Sequence, residues 1–303
     1  MNRIPLVLWL AAATAALGVW QTPVNLGANV NTIYDEWYPV VTPDGWTMIF
    51  VSSRPGGYGS TDFYRSNRSA SGWLLPVNMG PNVNTASVDS GQFITADGAR
   101  MYFSSMCAGG FGSMDLYYAP LANGQAGAKV HLPAPINSAY LDCCPVVTAD
   151  GNTMYFSSDR PGGYGNDDLY VTTFSGGAWS TPVNLGAVVN SGGAECARWL
   201  SADGNTLLFI SWRDGGQGEC DLWATTRTGG VWAAPVNLGA VVNTAANEWG
   251  ASFRCNNGAL GGIIYYGSGR AGGYGGMDLW QASDDAYYEV QPTSLGRTKA
   301  AYR

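Results

Sequence analysis

Charge is scarce in this 303-residue chain: Asp, Glu, Lys and Arg together make up 12% of it, and Lys and Arg nowhere form a run. A nucleic acid or an anionic membrane surface is therefore excluded as a partner, because both need clustered cations. Histidine occurs once, as His131. No histidine cluster can ligate a metal, and a Ser-His-Asp triad would have to be built on that one residue. Gly-x-Ser-x-Gly is also missing. A net charge of −7 and a pI of about 4.6 favour solubility without naming a partner. Beyond the first residues no long apolar segment follows, so no membrane span is expected downstream.

The abundant residues are glycine, at 42, and aromatics, with 12 Trp, 17 Tyr and 9 Phe. Together with a hydrophobic share of 46% they point to many short strands joined by tight turns. The N-terminus reads Met-Asn-Arg, then an apolar run from Ile4 to Leu17, then small residues. This is the pattern of a signal peptide over residues 1–18, too short to span a bilayer, and no Cys follows it as a lipoprotein would require. Export to the periplasm or beyond, in a bacterium, is expected.

Self-similarity organises the rest. Trp20, Trp73, Trp179 and Trp232 fit one 53-residue spacing, with Ala126 in the third slot. Asp44-Gly45, Asp97-Gly98, Asp150-Gly151 and Asp203-Gly204 step by the same interval. The fifth copy is degenerate there (Asn256, Asn257, Gly258), and Asp278 follows Asp221 by 57 residues, which absorbs an insertion. The units run about 20–72, 73–125, 126–178, 179–231 and 232–285. Each begins Trp-x-x-Pro-Val-Asn-Leu-Gly, passes Val-Asn-Thr to an acidic residue, and enters an apolar strand. An Asp-Gly hairpin, a strand ending Phe-x-Ser-Ser-Arg, a Gly-Gly-Tyr-Gly loop and an Asp-Leu-Tyr strand follow. Triplets such as Met48-Ile49-Phe50 and Met154-Tyr155-Phe156 are apolar on both faces, so their sheets must be covered on both sides. The chain is thus expected to be all-β, a five-bladed β-propeller with four antiparallel strands per blade. Because a Trp segment opens the chain and none follows Gln281, the strand from about Val19 to Leu26 should be the outer strand of the last blade and close the ring. Residues 286–303 follow no repeat column and form a basic tail.

Pro43-Asp44-Gly45, the Phe-x-Ser-Ser-Arg segments and the Gly-Gly-Tyr-Gly loops before Asp-Leu-Tyr resemble the WD40-like Pro-Asp repeat of TolB-type propellers, over about residues 20–283. The resemblance implies a β-propeller with a binding role in a bacterial envelope. The sequence departs from that pattern at Met106-Cys107, at Trp212-Arg213 and in the fifth Asp-Gly.

One rim should gather the repeated polar columns. The rim acids are Glu36, Asp89, Asp142, Glu195 and Glu248; the amides are Asn31, Asn84, Asn137, Asn190 and Asn243. The cations are Arg54, Arg160, Arg213 and Arg270, broken by Cys107, and the loop acids are Asp62, Asp115, Asp168, Asp221 and Asp278. As structural groups they would satisfy loop N–H groups and pair across each blade. As a site, the rim acids would form a ring able to hold Ca²⁺ or a cationic group. No closely spaced Asp-x-Asp-x-Asp loop accompanies them, so no metal or cofactor is expected. His131 occupies the slot of Asn25, Asn78, Asn184 and Asn237 and is read as a loop-capping substitute.

Function should break the symmetry, and blade 4 breaks it most. Beside the repeated acid Glu195 it carries Arg198, Trp199, Trp212, Asp214, Gln217 and Glu219, several of them where other blades have Gly, Pro or Tyr. Carboxylates beside Trp suit a sugar, so Glu195, Arg198, Trp212, Asp214 and Glu219 are candidate ligand-binding residues. The cysteines follow the same rim: Cys196 with Cys220, and Cys107 with Cys143 or Cys144, are the disulfides expected in an exported chain, with Cys255 left over. The reading is a monomeric, non-enzymatic scaffold that presents repeated loops to a protein, peptide or glycan. The alternative is a glycoside hydrolase or lyase working through blade-4 and channel carboxylates.

Overall fold

A computed structural model describes residues 19–254 and 262–284. The expected leader, Cys255 and the tail lie outside the described residues. The described chain contains strands and turns and no helix, so no helix in it is long and apolar enough to cross a membrane.

Five antiparallel sheets stand in a ring, each starting at the axis with a strand that opens on the rim acid. These innermost strands are Glu36–Val41, Asp89–Ile94, Asp142–Val147, Glu195–Leu200 and Glu248–Arg254. The second strands are Thr47–Ser52, Arg100–Ser105, Thr153–Ser158, Thr206–Ser211 and Ile263–Ser268. The third are Asp62–Ser69, Asp115–Ala122, Asp168–Ser175, Asp221–Thr228 and Asp278–Ser283. The Asp-Gly hairpins join the first two strands as their chemistry dictates. Asp44, Asp97, Asp150 and Asp203 each accept the backbone N–H two residues on, at 2.9–3.0 Å, and the adjacent Gly takes a φ of 70–76°.

The second strands carry the packing. Met48, Ile49, Phe50 and Val51 are all buried, as both-sided apolarity requires when neighbouring blades cover each face. Phe63 of blade 1 meets Phe103 of blade 2 edge-on at 5.3 Å between ring centroids. The outer strand is split in two. In blade 1 Gly72–Trp73 pairs with Arg68 and Ser69, and Val77–Asn78 pairs with Tyr64 and Arg65. Pro76, which has no N–H to give the ladder, lies in the gap.

The ring closes as the repeat phase predicts. Val24 and Asn25 pair with Gln281 and Trp280, Trp20 bridges Asp284, and the Leu26 N–H donates to the Leu279 carbonyl at 3.0 Å. A second device ties blades together. Each column amide accepts a backbone N–H from the preceding blade's third strand: Asn84 from Phe63, Asn137 from Leu116, Asn190 from Leu169, Asn243 from Leu222, at 2.7–2.9 Å. Asn31 makes the same bond to Leu279 at 2.8 Å, so the clamp also spans the closure.

Candidate functional site: one rim and the channel beneath it

The rim acids are buried at the inner end of each blade. Glu36 accepts the Thr32 N–H at 2.8 Å, the Ser52 hydroxyl at 2.7 Å and the Arg54 guanidinium at 3.0 Å. Asp142 with Arg160 (2.6 Å), Glu195 with Arg213 (3.2 Å) and Glu248 with Arg270 (3.5 Å) repeat the pairing. Each Arg also lies over aromatic rings of its blade; Arg160, for example, is 5.1 Å from the Phe156 ring centre. Blade 2 differs. Cys107 fills the Arg slot, and Asp89 accepts only uncharged donors, the Ser105 hydroxyl at 2.6 Å and the Thr85 N–H at 2.5 Å. Burial pushes the Asp89 carboxyl above its ordinary range. Burial does the same to Glu248, against its hydrogen bonds and Arg270.

The loop acids turn back into their own loops. Asp62 accepts the Tyr58 N–H at 2.7 Å; Asp115, Asp168 and Asp278 accept those of Phe111, Tyr164 and Tyr274 at 2.5–2.6 Å, and Asp221 that of Gln217. The fit needs glycine: a Cβ on Gly163 would stand 2.0 Å from an Asp168 oxygen. Asn184 and Asn237 cap Asp168 and Asp221 at 2.9 Å, and His131 Nε2 stands 3.4 Å from Asp115 Oδ2 in the equivalent place, between the Phe111 and Tyr117 rings.

This fixed loop raises one aromatic into solvent in each of four blades. Tyr58, Phe111, Tyr164 and Tyr274 are 51–55% exposed. In blade 4 Gln217 takes that slot, and Trp212 of the same loop is the exposed aromatic. Sequence reasoning read the Gly-Gly-Tyr-Gly motif for its turn and passed over the ring at its tip.

The blade-4 candidates separate. Trp212, Asp214 and Glu219 line one shallow depression. Glu195 lies buried beneath, held by Ser191, Ser211 and Arg213. Arg198 points into the central channel.

Four of the five innermost strands change register within the first residues after the acid: between Trp37 and Val40, Ser90 and Phe93, Cys143 and Val146, and Trp249 and Ala251; in blade 4 the shift falls between Ala197 and Trp199. Tyr38, Gly91, Cys144 and Gly250 sit there with φ between 54° and 65°. Such bulges turn adjacent side chains the same way and re-aim them at the channel. The result is a buried thiol cluster: the Sγ atoms of Cys143, Cys144 and Cys196 all lie within 4.8 Å of one another. The thiols of Cys143 and Cys196, hydrogen-bonded to Cys144, hold its thiol well below the ordinary value; Cys143 is raised by the same bond. Beside them Arg198 is 5% exposed, its guanidinium 3.8 Å from the centre of the Tyr38 ring. Arg198 Nε and Nη2 have no hydrogen-bond partner among the described residues. Asp167, on the blade-3 side of Cys196, is pushed up to about 6 by burial and then by that thiol.

The expected disulfides are corrected. Cys107, Cys143, Cys144, Cys196 and Cys220 carry free thiols. Cys220 lies between blades 4 and 5, where its Sγ faces the Glu248 carbonyl at 3.5 Å, while Cys196 turns to the axis. Cys107 occupies the Arg slot and donates to the Tyr117 hydroxyl at 3.1 Å, away from Cys143 and Cys144.

The far mouth of the channel, on the Asp-Gly side, holds a cavity of about 230 Å³. Val40, Phe93, Val147, Leu200 and Phe253 wall it and Arg198 lies at its inner end; among the described residues no Asp or Glu lines it.

No family model matches this sequence, and no curated protein matches it. Solved structures match its fold. TolB from Acinetobacter baumannii aligns with a TM-score of 0.50 at 17% identity over 82% of this chain, which spans 55% of that protein's length. A putative TolB from Agrobacterium tumefaciens gives 0.51 at 15% identity, covering 88% of this chain and 92% of that one. The catalytic domain of a GH62 α-L-arabinofuranosidase from Coprinopsis cinerea gives 0.50 at 13%, covering 89% and 98%. At these identities the likeness extends to the β-propeller fold, which hosts both kinds of protein.

Proposed function

We propose that this chain is an exported binding protein that offers the loops of one rim to a protein, peptide or glycan, and that it is not an enzyme. The observation that carries this is the aromatic column: Tyr58, Phe111, Tyr164 and Tyr274, with Trp212 in blade 4, each project from a loop tied down beneath it by a buried Asp. Rigid, half-exposed aromatic rings give large contact area for little lost entropy, in protein and sugar recognition alike. Repetition around a ring multiplies such contacts instead of building one reaction centre. The hydrolase reading needs two carboxyl groups about 5–10 Å apart around a ligand. Each rim acid is instead occupied by protein donors, and the channel cavity is lined by none.

Probing a glycan array and a native extract with the mature chain tests this. A variant carrying Tyr58→Ala, Tyr164→Ala and Tyr274→Ala should lose capture by more than about tenfold, at roughly 0.5–1.5 kcal/mol per aromatic contact. Hydrolysis of pooled glycosides without capture, or capture undiminished in the triple variant, would overturn the proposal.

A further inference from the structure

We propose that Cys143, Cys144 and Cys196 form a trigonal thiolate site for a monovalent thiophilic ion of the Cu(I) class, with Arg198 as its counter-charge. The inference stands on the channel and is independent of what the rim binds.

Geometry comes first. Three sulfurs around one ion at a metal–sulfur distance of about 2.3 Å would be about 4 Å apart. The three Sγ atoms, all within 4.8 Å of one another, need less than about 1 Å of closure to reach that arrangement. Their backbones are already pinned. The Cys144 N–H donates to Ser104 Oγ at 2.9 Å and the Ala197 N–H to Ser157 Oγ at 3.2 Å, so both bulges are fastened to second strands. Glycine at position 91 lets blade 2 close on this point: a Cβ there would lie 3.3 Å from the Cys144 backbone.

Ligand chemistry selects the ion. An all-sulfur donor set favours soft metals over Ca²⁺ or Mg²⁺. Structural Zn²⁺ takes four ligands, and no fourth Cys, His, Asp or Glu joins the cluster among the described residues. Three-fold sulfur coordination suits a d¹⁰ monovalent ion. Charge is the independent observation. Arg198 is a buried cation whose Nε and Nη2 lack acceptors, an arrangement that is costly unless an anion stands close by. With all three sulfurs bound as thiolates and their remaining protons released to solvent, one monovalent ion leaves a net −2 on the cluster. The guanidinium brings the buried assembly to −1.

Anaerobic titration of the reduced, full mature chain with Cu(I), against the chelator bicinchoninate, tests the site. One equivalent should bind, and X-ray absorption should count three sulfur neighbours. Cys143→Ser and Cys196→Ser should each weaken binding by about 100-fold and Arg198→Met by about 10-fold, while Cys107→Ser and Cys220→Ser behave as the parent chain. Should a channel variant fail to fold, alkylation of the parent chain supplies the readout: Cu(I) should shield these three thiols and leave Cys107 reactive. The proposal is overturned by failure to compete with the chelator, by two sulfur neighbours, by equal alkylation with and without Cu(I), or by a disulfide joining two of the three thiols.

Discussion

Asp89 shows what the repeated Glu–Arg pairs do, because blade 2 has done the experiment of removing the cation. Its carboxylate is as buried as those of Asp142 and Glu195, yet Cys107 stands where Arg160 and Arg213 stand. Burial raises the folded-state value above the unfolded one. Between the two values the native state holds a proton that the unfolded chain has released. Stability is therefore full below the unfolded value and is lost as pH rises through the folded one. Asp89→Asn should remove that loss. The amide can accept from Thr85 N–H and donate to Ser105 Oγ, so urea midpoints of the variant should be flatter as pH rises above about 4 and, once the parent's carboxyl has ionised, equal to or above the parent's. Asp142→Asn should do the opposite, costing about 2 kcal/mol at pH 7 by stripping Arg160 of its charge partner. Equal responses at the two positions would show that the Arg column contributes nothing. The break at Cys107 was legible in the sequence, because a column of four arginines makes a missing fifth obvious. That the acids would be occupied by loop N–H groups and Arg was one of the two readings the sequence left open; that they would be buried was not legible, since a string of Glu and Asp reads the same whether it faces solvent or serine hydroxyls.

At the scale of the strand, the bulge separates what the sequence reveals from what it conceals. The hairpins and apolar triplets follow from local chemistry, and their register came out as the repeat implied. The channel lining depends instead on a positive φ two residues past four of the five rim acids. In a regular strand Cys143 and Cys144 would face opposite sides. The bulge brings both to the axis and adds Cys196 from the next blade, which is why the disulfides expected from rim position alone do not form. A signal was present: positions 38, 91, 144, 197 and 250 recur at the 53-residue step, and two of them are glycine. Gly250→Ala tests how tightly this point is packed. A Cβ there would lie 2.2 Å from the Tyr38 ring, at a backbone φ of 63°. We expect a loss of about 2–3 kcal/mol in chemical unfolding. In a Tyr38→Ala background the penalty should shrink without vanishing, because the ring contact is gone while the residue-38 Cα, 2.6 Å from that Cβ, and the backbone strain remain. A penalty unchanged by Tyr38→Ala would place the cost elsewhere.

For the whole molecule, closure is what turns five similar blades into one ring. Asn31 reaches Leu279 across 248 residues of sequence, and Val24 and Asn25 complete the last sheet. A linear array of repeats can fray from its ends, each unit answering only to its neighbours. A ring sewn by its own N-terminal strand has no free end while that strand is in place. Deleting residues 19–26 should therefore cost more than the few hydrogen bonds removed. It exposes the edge of Asp278–Ser283, and exposed edges recruit other strands. The truncated chain should melt at lower temperature in a broader transition and elute in part as dimers or larger species. Transplanting the same eight residues to follow residue 284 would put the outer strand of blade 5 in step with its blade, as in blades 1 to 4. If edge coverage alone matters, this permuted chain should regain the parent's oligomeric state and melting temperature. If the long-range stitch matters, it should stay monomeric but melt early, because its first blade would be joined to its last only by side-chain packing, the Asn31 clamp and the rim hydrogen bonds of Met277 with Glu36 and Asp35. Calorimetry with size-exclusion chromatography on the three chains distinguishes these outcomes, and a truncated chain indistinguishable from the parent would show that the N-terminal strand is an ornament on a ring that closes without it.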